Sequence, residues 1–196
     1  MRGEAKPKAR ANQTETAVLG ALSVEPMTGY ALREAIRDVL GHFWSESFGQ
    51  IYPTLAALER RGHLRRRDAT KSRSSIFEIT RSGTARLREL LVQPVRPAPP
   101  RNGLLLRLFF GRHLGAPACR ALITDARARA ECDLARYQDI RRQLLTETDP
   151  AGDRPYWLLT VSAGEHAAEA TIAWADEALA DLDRLDAAPH PTPPTF

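Results

Sequence analysis

Residues 47–80 constrain the fold of this chain more than any other stretch, because a short amphipathic helix pattern runs into a basic hairpin pattern there. Ile51, Leu55 and Leu58 recur at the spacing of one helix face, and Gly62 suits the left-handed residue that ends many helices. Two strand-like segments, residues 63–68 and 75–79, then flank a polar, basic tip. This is the order of a winged helix-turn-helix, whose helix enters the major groove of DNA while its hairpin reaches phosphates.

The rest of the chain predicts a mostly α-helical protein with this one small β-hairpin. Thr28 and Thr80 are predicted N-caps of helices over residues 29–40 and 81–92, and an earlier helix is predicted to begin near Thr14. Residues 93–102 contain four prolines and interrupt the helical pattern, which then resumes. The predicted divisions are a flexible basic tail (1–13), a winged helix-turn-helix DNA-binding domain (14–93), a Pro-rich linker (94–102), a C-terminal α-helical dimerisation domain (103–187) and a disordered tail (188–196).

Charge is distributed unevenly along the chain. Residues 1–95 carry 16 Lys and Arg against 10 Asp and Glu, whereas residues 96–196 carry 12 against 14. A basic head on a slightly acidic body fits a protein that binds a polyanion. No apolar run approaches the roughly 18 residues of a membrane span, and the basic N-terminus lacks the apolar segment of a secretory signal. Two cysteines, Cys119 and Cys132, make no disulfide framework, so the sequence predicts a cytoplasmic protein without membrane contact.

The predicted recognition helix carries small side chains opposite its apolar stripe, which would let its backbone sit in a groove about 12 Å wide. Gln50 and Thr54 are polar groups able to read base edges, and glutamine has the bidentate geometry that suits adenine. An amphipathic helix with a merely solvated polar face would look similar, but the basic hairpin after it favours DNA. The predicted DNA-contact residues of this helix and its C-terminal end are Ser47, Gln50, Tyr52, Pro53, Thr54, Arg60 and Arg61.

The predicted hairpin adds positive charge that would bind phosphates without choosing a sequence. Arg65, Arg66 and Arg67 are consecutive, so they cannot all face one way on a strand. Two of them are expected to point towards DNA, and Arg65 and Arg67 are the predicted pair. Lys71 and Arg73 lie at the predicted tip and complete the set of candidate phosphate contacts. The basic residues of the N-terminal tail are either a minor-groove arm or simply solvated.

Three segments resemble the PadR family of transcriptional regulators. They are TAVLGALSVEPMTGYALREAI, FGQIYPTLAALERRGHL and SSIFEITRSGTARLREL, of which Ile51-Tyr52-Pro53 with Leu55, Leu58-Glu59 and Gly62 is the most specific piece. Thr80 with Gly83, the run LLRLFFG at residues 105–111, and Tyr156-Trp157 with Trp174 strengthen the resemblance. It implies an N-terminal winged helix-turn-helix, a helical dimerisation domain, and repression relieved by a small molecule. The tip at residues 71–75 departs from the family pattern, with Phe77 at the aromatic position.

The C-terminal half contains more apolar surface than isolated helices can bury. Burial of a large apolar side chain is worth about 1.5–3 kcal/mol, so this surface predicts a homodimer, and two half-sites would make the DNA operator palindromic. The aromatic residues Phe109, Phe110, Trp157 and Trp174 are candidates for a pocket that takes a small aromatic or hydrophobic effector. Aromatic residues at helical spacing also serve as plain core, and that alternative stays open.

Other kinds of chemistry find no support in the sequence. The histidines and cysteines lack metal-ligand spacing, and neither a G-x-S-x-G, a P-loop nor a G-x-G-x-x-G motif occurs, so no metal, cofactor or enzymatic activity is predicted. Two hypotheses remain, of which the first is a dimeric, ligand-responsive repressor. The second is a winged-helix module that docks another protein without binding specific DNA. The arginine-rich hairpin favours the repressor.

Overall fold

The computed structural model describes residues 5–41, 44, 48–67, 75–95, 101–149 and 151–187. The chain forms two compact units, Met1–Pro97 and Ala98–Phe196, here called the N-terminal and C-terminal units. The division between them falls inside the segment predicted to be a linker.

The described residues of the N-terminal unit form four α-helices and a small sheet. In chain order its elements are α1 (Ala5–Val24), β1 (Met27–Thr28), α2 (Gly29–Ala35), a π-helical turn (Ile36–Leu40), α3 (Phe48–Arg60), β2 (Leu64–Arg67), β3 (Ile76–Ile79) and α4 (Arg81–Leu91). The C-terminal unit contains α5 (Gly103–Phe109), a 3-10 turn (Gly111–His113), α6 (Ala116–Thr146) and α7 (Arg154–Ala187). The predicted fold class, mostly helical with a small β-hairpin, is confirmed.

The predicted start of the first helix was wrong. Helix α1 begins at Ala5 rather than near Thr14, so the segment predicted to be a flexible tail is helical from its fifth residue. Strand β1 was not predicted, because two residues are too short to produce a recognisable alternation. The predicted caps are confirmed, since the Thr28 side chain accepts a hydrogen bond from the amide of Ala31 and Thr80 accepts one from that of Gly83.

The sheet places β3 between two antiparallel neighbours, β1 and β2. Arg65 of β2 lies opposite Glu78 of β3, and Arg66 lies opposite Phe77. Strands β2 and β3 are the described part of the wing. The sheet is also connected to α2, because β1 directly precedes this helix. In β1, Met27 pairs with Phe77 and Thr28 pairs with Ile76.

The core of the N-terminal unit joins helices α1, α2, α3 and α4 to the sheet. Its buried apolar residues are Ala17, Val18, Leu19, Leu22, Leu32, Ile36, Ile51, Leu55, Leu58, Leu64, Phe77 and Leu90. All three apolar positions predicted for α3 are therefore buried. Gly62 has a φ of 73°, the left-handed conformation predicted for the residue that ends this helix.

The C-terminal unit is built on a long antiparallel pair, α6 and α7. Ion pairs between the helices run in opposite chain directions: Arg120 with Asp183, Arg127 with Asp176, and Arg141 with Glu165. The hydrogen bond from Arg141 lowers the pKa of the Glu165 carboxyl. No helix among the described residues is both long enough and apolar enough to cross a membrane.

Candidate nucleic-acid interface

Helix α3 separates a buried face from a polar, exposed one. Ile51, Leu55 and Leu58 are at most 1% exposed and hold the helix against the core. The residues exposed to solvent on its other side include Gly49, Gln50, Tyr52, Pro53 and Arg60, and Thr54 is half-buried. A helix with small and short side chains on its outer face can approach a groove closely.

The two arginines at the end of α3 have different surroundings. Arg60 is exposed and has no hydrogen-bond or ion-pair partner among the described residues. Arg61 bonds the carbonyl oxygen of Ala57 through Nε at 3.2 Å and approaches Glu15 Oε2 at 3.4 Å through Nη2. Arg61 thus neutralises a carboxylate within the fold, whereas no described residue occupies the donors of the Arg60 guanidinium.

Glu15 of α1 connects three helices through arginines. It is only 6% exposed, and its second oxygen, Oε1, accepts a hydrogen bond of 2.9 Å from Nε of Arg86 in α4. This bond raises the pKa of the Arg86 guanidinium. A buried carboxylate needs such partners, so Arg61 and Arg86 stabilise the packing of α3 and α4 against α1.

The wing presents a second buried carboxylate with two arginines. Glu78 is 7% exposed; Arg65 donates to its Oε2 through Nε at 2.7 Å, and Arg67 lies 3.0 Å from its Oε1 through Nη1. Both guanidinium groups remain largely exposed, so they keep donors free for a phosphate. The pair of arginines predicted to share one face does so.

Arg66 faces the other side of β2. Its Nη2 lies 2.9 Å from Glu59 Oε2 of α3, and its guanidinium stands 5.3 Å from the centre of the Phe77 ring. These contacts attach the wing to α3. Successive residues of a strand face opposite sides, so one of the three arginines had to point away from the other two. That arginine is Arg66, which packs on Phe77.

Three predicted contact residues, Ser47, Lys71 and Arg73, lie outside the described residues. Glu15 and Glu78, the two buried carboxylates that bind arginines of this surface, were not predicted. Glu78 could have been found from the strand register, because opposite charges often pair across strands. Glu15 has no comparable local signal, since its partners are 46 and 71 positions away.

The four aromatic residues proposed for an effector pocket do not form one site within a chain. Trp157 and Trp174 lie on the same helix, α7, which separates them by about 25 Å at a rise of about 1.5 Å per residue. Phe109 and Phe110 contact each other edge to face, with ring centres 5.1 Å apart. A groove of about 310 Å³ between α6 and α7 is lined by other residues, among them Ala126, Ala130, Tyr137, Gly164 and Thr171. Within the described residues, no group of three His, Cys, Asp or Glu side chains could hold a metal ion.

Two protein families match the two units. Residues 18–89 match the Transcriptional regulator PadR-like family, and residues 100–183 match the family named Virulence activator alpha C-term. The negative transcriptional regulator PadR of Bacillus subtilis is 26% identical over 177 residues, covering 86% of this chain and 96% of that protein.

Solved structures agree with the sequence comparison. Bacillus subtilis PadR in complex with operator DNA has a TM-score of 0.72 and 25% identity, and the match covers 86% of this chain and 98% of that one. The same protein in complex with p-coumaric acid has a TM-score of 0.69 and 26% identity, with the same coverage. The family match over residues 18–89, the similar relative and the winged helix-turn-helix described above show that this chain carries a PadR-like transcriptional regulator domain.

Proposed function

We propose that this protein is a sequence-specific DNA-binding repressor that acts as a homodimer and is released from its operator by a small aromatic or hydrophobic molecule. The observation that carries the proposal is the exposure of Gln50 and Arg60 on the outer face of α3, together with the exposed arginine pair on the wing that follows this helix in the chain. Short polar side chains at a groove and cations beside it combine base reading with phosphate binding. The similar PadR of Bacillus subtilis was solved in complex with operator DNA, which supports DNA binding by this chain.

Dimerisation is supported by the apolar surface of the C-terminal unit. Helix α5 has seven residues and buries none of them, and Phe109 at its end is 83% exposed. A helix this short is unstable alone in water, so a second copy of the chain is the proposed partner of α5. The exposed apolar residues at this end of the unit are Leu105, Leu106, Phe109, Phe110 and Leu114.

A second exposed apolar group lies at the other end of the α6–α7 pair. Leu145, Tyr156 and Leu159 flank the turn between these helices, and α6 spans 31 residues, so about 45 Å separates the turn from the α5 end. A two-fold axis across the pair would place α5 of each copy on the turn of the other. Such an arrangement gives a closed dimer, and it covers the exposed apolar residues at the α5 end and at the turn in both copies.

The proposal that a small molecule releases this protein from DNA is supported by a similar protein. Bacillus subtilis PadR was solved in complex with p-coumaric acid, an aromatic acid, and the match to that structure covers both units of this chain. Because Trp157 and Trp174 cannot line one small site within a chain, an effector that binds within one chain should strongly quench the fluorescence of only one of them.

Fluorescence anisotropy with labelled DNA tests the proposed function. A duplex enriched by the protein from a random-sequence library is compared with its scrambled version at two salt concentrations. We expect tight, salt-sensitive binding of two protomers to a palindromic site, with at least a 1,000-fold preference over the scrambled duplex, about the lower limit for specific DNA binding. Failure to enrich any sequence would reject the proposal and favour a protein-docking role.

The predicted division of labour on α3 can be tested with two substitutions. Gln50→Ala is expected to weaken binding to the selected duplex by about 1–3 kcal/mol and to leave scrambled DNA almost unaffected. Arg60→Ala should weaken both and reduce the slope of log K against log salt by about 0.9, the contribution of one phosphate contact.

Arg61→Ala is the matched control for the Arg60 substitution, because it removes the same charge one residue away. Since Arg61 is paired with Glu15, its removal should change the salt slope less than Arg60→Ala does. A slope for Arg60→Ala that equals the wild-type slope would contradict the assignment of Arg60 to a phosphate.

A further inference from the structure

Gly29 begins α2 and lies beneath the ring of Tyr52 on α3. A Cβ atom at Gly29 would lie 2.9 Å from Tyr52 Cε1 and 3.5 Å from Leu55 Cδ1. Tyr52 is 51% exposed, so one edge of its ring rests on the glycine while the rest of it faces solvent. The absence of a side chain at Gly29 therefore determines where this ring can lie.

The backbone at Gly29 is held in place from two directions. The Thr28 side chain caps α2 by accepting a hydrogen bond of 3.1 Å from the Ala31 amide. Thr28 also pairs with Ile76 in β3, one of the two wing strands. The surface on which Tyr52 rests is thus fixed to the wing as well as to α2.

We propose that Gly29 is a positioning residue for DNA recognition, because it holds the Tyr52 ring where the phenol can donate a hydrogen bond to a DNA phosphate. This inference rests on the proposed DNA-binding function. Helical tyrosines use two χ1 rotamers, so a ring displaced from one moves to the other and carries its hydroxyl beyond hydrogen-bond reach of the original partner. Gly29 acts through Tyr52 and does not itself touch DNA.

Alanine at position 29 should leave the fold intact. Gly29 is not one of the described glycines with positive φ, so alanine can adopt its backbone conformation. Alanine also has a higher helix propensity than glycine. The atom that a new methyl group would meet most closely belongs to a half-exposed ring, which is free to turn towards solvent. The expected consequence is a displaced Tyr52, with the core unchanged.

A double-mutant cycle tests the inference. Wild type, Gly29→Ala, Tyr52→Ala and the double variant are titrated by anisotropy with the selected duplex. A hydrogen bond to a charged group is worth about tenfold in affinity, so each single variant should bind about tenfold more weakly. The double variant should bind no more weakly than Tyr52→Ala, since Gly29→Ala has no ring left to displace.

Gly20→Ala is the matched control, because a Cβ at Gly20 in α1 meets nothing within 4 Å, and it should bind like wild type. Wild-type affinity in Gly29→Ala would overturn the inference, and so would a double variant whose loss equals the product of the single losses. A lower melting temperature in Gly29→Ala that accompanies its loss of binding would overturn it too, as the fold would then be the cause. A wild-type protein that selects no DNA would instead overturn the proposed function, and the inference with it.

Discussion

Replacing Gly83 by alanine is expected to lower the free energy of unfolding of the N-terminal unit by about 3 kcal/mol, the upper end of what overpacking costs. A methyl group there would overlap the carbonyl oxygen of His63 and lie 2.8 Å from Cγ1 of Ile79. The backbone of His63 cannot rotate away from the new methyl group as the exposed ring of Tyr52 can. Helix α4 must therefore move away from the start of β2. Urea-induced unfolding followed by circular dichroism measures the loss.

The contact at Gly83 is part of a larger junction. Thr80 donates its amide hydrogen to the His63 carbonyl oxygen at 3.0 Å, and the Ser82 hydroxyl donates to the Gly62 oxygen at 2.9 Å. These bonds attach the N-terminus of α4 to the turn between α3 and the wing. Displacing α4 would therefore disturb both α3 and the wing, the two elements proposed to contact DNA, and Gly83→Ala should also weaken DNA binding.

Gly20→Ala provides the contrast for this prediction as well. It introduces the same methyl group into a helix where space is open, and should raise the free energy of unfolding by about 0.5–1 kcal/mol. Equal stabilities for the two variants would show that the close approach of Gly83 to His63 does not constrain the fold.

The elements that the sequence predicted well are those determined by local chemistry. Helix α3 follows from an apolar stripe and from Gly62, and α2 and α4 follow from threonine caps whose hydrogen bonds the structure contains. Periodicity and capping are read within a few residues, so they need no knowledge of the rest of the chain. The boundary of α1 was missed because its Ala-, Lys- and Arg-rich start has helix-forming composition but no apolar stripe.

The candidate site was less predictable, because its electrostatics depend on residues far apart in the chain. Arg60 and Arg61 are neighbours with similar expected roles, yet within the described part of the chain only Arg61 meets a carboxylate, and that carboxylate belongs to α1. Likewise, the exposure of Gln50 follows from the helical wheel, whereas the contact of Tyr52 with Gly29 depends on how α2 packs on α3. Tertiary packing decides which charges remain available for DNA.

Phe109→Glu is expected to convert the proposed dimer into a monomer and to weaken operator binding by about 100-fold or more, the usual gain from linking two binding modules. A charge placed on α5 would have to be buried against the second copy, which is costly without a partner. Sedimentation at micromolar concentration measures the assembly, and anisotropy measures the affinity. Val95→Glu, on the exposed surface of the N-terminal unit, is the control and should remain dimeric.

The proposed two-fold arrangement makes a sharper prediction, because it pairs residues from opposite ends of the C-terminal unit. Leu159 is 69% exposed near the turn between α6 and α7, and Leu159→Lys should produce monomers as Phe109→Glu does. In the double variant, each glutamate faces the lysine of the other copy, so dimerisation should partly return. A dimer that is lost in both single variants and stays lost in the double variant would contradict the pairing of α5 with the turn. A dimer retained in both single variants would show that these two apolar groups do not form the interface.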